Sequence, residues 1–303
     1  MILDTTRSGL HQDIFELFDV LSSENLEVSR LTPDLLAQLE AETSVHPIEI
    51  THKIDNYLPE ITDNGKLFID AQSRAPLATP KDYNDPAALV VDEHAGGGSA
   101  GAFALARLRL TREVANTISA RLKPLGAEYL AVHIRHTDYA TDYEALLDKI
   151  AEDVRGKRLL VCSDSHMVKA FAKKRLEGIA ECLEVSDIPD LEGAPLHETH
   201  GHDRHQANLD LLCDLLAMAR AQTLFYANVA DGFPSGFSKL THALQLMPSI
   251  VNSLLSNADP ELALPDLPSK WGRGQRYQVV KMRMVIARRR LQNWVRKVKH
   301  SAL

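Results

Sequence analysis

The sequence predicts an α/β chain whose better-patterned half is built on a parallel sheet. Two observations lead there. Strand-length apolar runs stand at Tyr129-Leu130-Ala131-Val132, Leu159-Leu160-Val161-Cys162 and Thr223-Leu224-Phe225-Tyr226. Stretches with helical spacing, at 166–176, 206–220 and 236–246, alternate with them. Strands and helices in that order make βαβ units, whose strands run parallel and whose ligands bind beyond the strands' carboxyl ends. No internal repeat or low-complexity block interrupts the alternation.

Residues 1–95 are less clearly patterned. A short strand is expected at Met1-Ile2-Leu3, helices from Gln12 to Leu21 and from Pro33 to Glu42, and a strand from Lys66 to Ile69. Pro76, Pro80 and Pro86 mark loop. Gly96-Gly97-Gly98 reads as a hinge, with amides free of side-chain cover that could approach a ligand. Thr111 opens a helix that repeats Val114, Ile118 and Leu122 on one face, and Pro124 with Gly126 stops it. The chain therefore divides into an N-terminal α/β lobe over 1–124, a second lobe over 125–258 and a tail over 259–303. In the second lobe the helix 166–176 is expected to turn Met167, Ala170 and Phe171 inward.

Composition narrows the class. With 303 residues, 45% hydrophobic and 25% charged, the chain has globular usage and enough length for two cores. Cys162, Cys182 and Cys213 are too few and too scattered for a disulfide framework, which points to a reducing, cytoplasmic compartment. No uncharged run approaches the roughly 20 residues of a spanning helix, and no secretory signal is visible. The net charge of −7 is unevenly spread. From Lys270 to Leu303 there are eleven Lys and Arg and no Asp or Glu, leaving 23 basic against 41 acidic side chains in the rest. Val280, Met284, Leu291, Trp294, Val295 and Val298 recur there at helical spacing, with Lys281, Arg288 and Arg296 on the other side. Such a basic amphipathic helix can pack on the chain's own body, lie at the inner face of an anionic membrane, or, least favoured, contact nucleic acid.

The chemistry concentrates at predicted strand ends. His133-Ile134-Arg135 closes the first apolar run, and an Arg carried rigidly out of a buried strand presents a planar fork of donors suited to phosphate oxygens. Asp164 follows the second run. Ser235 is placed to cap the helix that begins at Gly236, where unpaired amides and the helix dipole favour an anion. All four positions fall on one rim of the expected sheet.

Five blocks, HIRHTDY at 133–139, VCSDS at 161–165, PLH at 195–197, LLCDLLAMARA at 211–221 and FPSGFSKL at 233–240, stand in the order found in α1,6-fucosyltransferases. The chain resembles that family over roughly 110–247, its rhizobial nodulation-factor branch most of all, with protein O-fucosyltransferases more distant. The resemblance implies a GT-B-like glycosyltransferase of two Rossmann-like lobes, with GDP-fucose as donor and inversion at the sugar carbon without a required metal or other cofactor. It makes Arg135 the catalytic residue, paired with the β-phosphate, and gives guanine to His133 and Asp214. Ser235, Gly236, Phe237 and Ser238 match the phosphate-binding helix start. His136, Asp138, Asp164 and His197 are further expected donor-site residues. The acceptor would be an oligosaccharide or polysaccharide. Departures accompany the likeness. His136 stands where eukaryotic members have a second Arg, Tyr139 replaces a Lys, and the family's opening strand and Gly-x-Gly-Asn loop are missing from the start, so the N-terminal lobe is expected to be incomplete. The alternative function is a GDP-sugar-binding protein without transfer activity. His197, His200, His202 and His205 suggest zinc by density alone, but their spacing is not that of a metal site, and none is expected.

Overall fold

The computed structural model describes residues 2–3, 10–21, 27–46, 48–54, 57–62, 65–74, 87–91, 98–137, 141–187, 203–228 and 234–267. The basic stretch 270–303, Asp138, Tyr139 and His197 lie outside them. In chain order the elements are β1 (Ile2–Leu3), α1 (Ile14–Leu17), β2 (Phe18–Val20), β3 (Ser29–Arg30), α2 (Pro33–Glu40), β4 (Val45–His46), β5 (Tyr57–Thr62), β6 (Gly65–Asp70), β7 (Leu89–Val90), α3 (Gly101–Leu105), β8 (Leu108–Leu110), α4 (Arg112–Leu122) and β9 (Leu130–Ile134). They continue with α5 (Tyr143–Ile150), β10 (Arg158–Ser163), α6 (His166–Arg175), β11 (Glu181–Leu183), α7 (Arg204–Arg220), β12 (Leu224–Tyr226), α8 (Gly236–Gln245) and α9 (Pro248–Leu254).

Four of these strands form the parallel sheet that the alternation predicts, in the order β11-β10-β9-β12. The chain lays down β9, β10 and β11 side by side, then returns so that β12 pairs with the opposite edge of β9. β9 is thereby central, and the order reverses between β9 and β12. All five of its residues are buried, so its sequence is apolar throughout apart from His133.

Side-chain alternation divides the lobe into two layers. Leu130, Val132 and Ile134 face α5 and α6, packing with Leu147, Ile150, Val168 and Leu176. Ala131 faces the other way, with Leu160 and Cys162, into a larger core that takes in α4, α7 and α8. The register pairs Cys162 with His133, so His133 belongs to this second layer. α7 runs through its middle and is buried from Asn208 to Arg220 apart from Leu211. That explains its LDLLCDLLAMAR sequence, apolar nearly all round. Leu17, Phe18 and Leu110, from α1, β2 and β8, join the same core, which takes in residues on both sides of residue 124.

Two expectations need correction. The helix expected from Gln12 to Leu21 is only α1, a single turn that Asp13 caps, after which Phe18–Val20 pairs antiparallel with β8. Aromatic and β-branched Phe18 and Val20 favour a strand once a partner edge is offered, and tertiary pairing wins over local pattern. On α6 Phe171 packs on the core as expected, and the buried residues are Val168, Lys169 and Ala172, with Leu176 just beyond, while Met167 is 70% exposed and Ala170 exposed. The buried face thus includes a lysine. Elsewhere the stop at Pro124 and Gly126 stands: α4 ends at Leu122, one 3-10 turn follows, and Gly126 adopts φ 63°.

Leu216, 1% exposed at the middle of α7, tests the shared core. Leu216→Ala is expected to cost about 2–5 kcal/mol in urea denaturation, within a single transition. A cost below about 1 kcal/mol would mean that α7 is not the centre of this packing.

Candidate functional site

Strand order reverses between β9 and β12, and the carboxyl ends of strands at such a reversal are where open parallel sheets bind ligands. His133 is the penultimate residue of β9 and only 5% exposed. Its Nδ1 lies 2.7 Å from the Ser238 hydroxyl, which is itself 3.1 Å from the Ser235 hydroxyl. The His133 ring also sits 5.3 Å from that of Phe237, tilted by 51°. Thus β9 and the first turn of α8 close on one another through a histidine, two serines and an aromatic ring. Burial, the main cause, lowers the His133 pKa to about 4; Asp164 opposes this and Arg135 adds to it. At neutral pH the imidazole is uncharged, with one donor and one acceptor nitrogen.

Ser235 caps α8 as its position predicts, accepting from the Ser238 amide at 3.1 Å. A helix start leaves its first amides without intrahelical partners, and those of Gly236 and Phe237 precede the bonded one. The segment 98–105 packs against this same helix. A Cβ on Gly236 would stand 3.6 Å from the Gly98 amide nitrogen, and one on Gly101 only 3.3 Å from Leu240. Gly98 has φ +63°, a conformation that favours glycine. The glycine stretch read as a hinge therefore ends beside the anion-favouring turn.

Arg135 comes two residues after His133. Its Nε stands 3.8 Å from Asp164 Oδ2, and its side chain is 26% exposed. Asp164 is already occupied: Oδ1 accepts from the His136 amide at 2.8 Å and Oδ2 from the Thr137 hydroxyl at 2.7 Å. The aspartate ties the turn 135–137 to the end of β10 and so fixes where Arg135 leaves the sheet. His136 turns aside, to Thr141 at 3.2 Å and edge-on to Tyr143 at 4.8 Å.

Asp214, on α7, is buried in the same layer as His133. Desolvation raises its pKa to about 6, against the pull of Lys169, Ser186 and Cys162, while Asp210 adds to the rise. One carboxylate oxygen, Oδ1, has no hydrogen-bond partner among the described residues. An orphaned buried acceptor is costly and calls for an explanation. Asp210, one turn earlier, is satisfied by Arg121 at 2.5 Å. Lys169 and Ser186 escaped the sequence reading, since nothing in a KAFAKKR stretch tells a buried lysine from its exposed neighbours.

Of the expected residues, the structure brings His133, Ser235, Phe237 and Ser238 into contact. Arg135 and Asp164 stand at the adjoining rim, with His136 beside them, and Asp214 is buried in the layer of His133. Among the described residues no group of three His, Cys, Asp or Glu could hold a metal ion, and no helix is long and apolar enough to cross a membrane. No family model matches the chain, and no curated protein or solved structure matches it either.

The two shifted groups oppose each other in pH. His133, with its folded pKa depressed, contributes stability that is present above about 6.5 and lost as pH falls towards 4. Asp214, with its pKa raised, contributes stability that is present below about 3.8 and lost as pH rises through 6. Each window carries up to roughly 3 kcal/mol, so in the wild type they largely offset. Chemical denaturation is expected to show Asp214→Asn gaining on the wild type between pH 4 and pH 7, and His133→Gln losing ground over the same range. Parallel curves for all three proteins would contradict these assignments.

Proposed function

We propose that the chain is an inverting, GT-B-like glycosyltransferase that takes GDP-fucose as donor and a saccharide hydroxyl as acceptor. The observation that carries this reading is a capped, amide-rich helix start beside a tethered arginine at one switch point, together with a buried carboxylate whose Oδ1 has no partner among the described residues. An anion and a donor-bearing planar group suit the two ends of that arrangement, as diphosphate and guanine would. Guanine offers two parallel donors, N1–H and N2–H₂, to a carboxylate, whereas adenine does not. The five sequence blocks add fucose as the sugar.

In this reading His133, neutral and wedged between β9 and α8, packs and orients the nucleotide without adding charge. The amides of Gly236 and Phe237 bind diphosphate oxygens. Arg135 faces the β-phosphate, where negative charge grows as the bond from the sugar carbon to the phosphate oxygen breaks. Its attraction is greater at the transition state than for bound donor, which lowers the barrier. Asp164 holds the arginine's turn in place while spending its own oxygens on His136 and Thr137. The acceptor hydroxyl attacks the sugar carbon from the face opposite the diphosphate, giving inversion. No metal enters the proposal.

A thermal-shift screen of GDP-fucose, GDP-mannose, GDP and UDP-sugars, followed by transfer to chitin-type and polysaccharide acceptors, tests it. The expected result is a rise in melting temperature with guanine nucleotides alone, and a loss of transfer of about 100- to 1,000-fold in Arg135→Ala. Transfer unaffected by that substitution, or preference for UDP-sugars, would overturn the reading. Guanine-nucleotide binding without transfer to any acceptor would favour a GDP-sugar-binding protein.

A further inference from the structure

Arg220, the last residue of α7, is 8% exposed. Among the described residues it forms no ion pair, and its one hydrogen bond runs from Nη2 to the Pro265 carbonyl at 2.5 Å. A guanidinium carries five N–H donors, and its burial is costly unless an anion answers it. Burial, the main cause, lowers its pKa, against the pull of Tyr129 and Asp266. The Tyr129 hydroxyl is itself spent on the Ala217 carbonyl at 2.7 Å. The arginine lines a cavity of about 250 Å³.

The segment after α9 frames this cavity. Asn116, on α4, donates to the Asp259 carboxylate and accepts from the Asp259 amide, each at 2.8 Å. Lys123 donates to the Glu261 carbonyl at 2.6 Å. With the Arg220 bond to Pro265, these contacts hold 259–265 against α4 and α7. Ser119, 1% exposed, and Arg220 are the buried part of the lining, Leu255 and Leu264 its half-buried apolar part, and Asp266 is exposed. Arg220 precedes β12, and the Gln222 amide bonds the Tyr129 carbonyl just ahead of β9. The arginine therefore stands at the amino ends of the strands, whereas Arg135 and Ser235 stand at the carboxyl ends.

We propose that this cavity is a second binding site, for a small aliphatic carboxylate whose anionic end pairs with Arg220 and whose body rests on Leu255 and Leu264. It is separate from the donor site and does not depend on the reading given to that site. A carboxylate matches the planar fork of an arginine in two places at once. A phosphate dianion fits less well, because a single arginine would face two charges beside Asp266 and at the carboxyl end of α7, where the helix dipole is negative. An apolar lining with few polar groups to fix orientation is the usual make-up of a small-molecule site.

Calorimetry on the full chain with isovalerate, isovaleramide and inorganic phosphate tests the site. Isovalerate is expected to bind saturably, and its neutral amide about 10- to 100-fold more weakly, the difference made by a charge-assisted bond to a buried group. Phosphate should be the weaker of the two anions, and Arg220→Met should lose isovalerate binding. Should that variant fail to fold, Ala263→Trp carries the test. Ala263 is exposed and lines the cavity, so the indole obstructs it while leaving the arginine in place, and isovalerate should bind about tenfold more weakly or worse. Absence of saturable isovalerate binding, equal affinity for acid and amide, phosphate bound more tightly than isovalerate, or undiminished binding in Ala263→Trp would each overturn the proposal.

Discussion

The burial of β9 on both faces and along both edges is the constraint from which the rest follows. A strand so enclosed must be apolar, must lie parallel to neighbours supplied by crossover helices, and must end where those helices begin. The chain therefore meets solvent just past Ile134, between β10 on one side and β12 on the other. Polar side chains placed at that exit are held by the sheet rather than by their own loops. His133 is the one polar residue of β9, and Ser238 answers its ring nitrogen.

Around this exit the chain spends stability. An uncharged buried imidazole, a buried lysine and a carboxylate with an unmet oxygen each cost folding free energy that apolar residues of the same size would not. The imidazole and the carboxylate lie in the layer facing α7 and α8, and the lysine comes from α6; the apolar residues packed against α5 and α6 are Leu130, Val132, Ile134, Leu147 and Val161. Polar residues gathered at one end of the sheet are expected of a binding site, because a ligand repays on binding what folding left unpaired.

The second lobe was more legible than the first because its signals are local. Continuous apolar runs, a serine before Gly236 and a Pro-Gly stop after Leu122 all depend on neighbours in sequence. The end of α1 could not be read this way, since Phe18–Val20 becomes a strand only through β8, about ninety residues away. Lys169 escaped for a related reason. Its burial goes with bonds to Ser186, beyond the next strand, and Met167, expected inside, is exposed. Of the site, Arg135, His133 and Ser235 were legible as strand and helix ends. The unpartnered oxygen of Asp214, by contrast, is a property of packing that no spacing records.

The most direct test of the account is a crystal structure of the protein with GDP. The account predicts the guanine edge within hydrogen-bonding distance, about 3 Å, of Asp214 Oδ1, the α- and β-phosphates at the amides of Gly236 and Phe237, and the Arg135 guanidinium against the β-phosphate. A nucleotide bound away from the ends of β9 and β12, or with its base turned from Asp214, would contradict it.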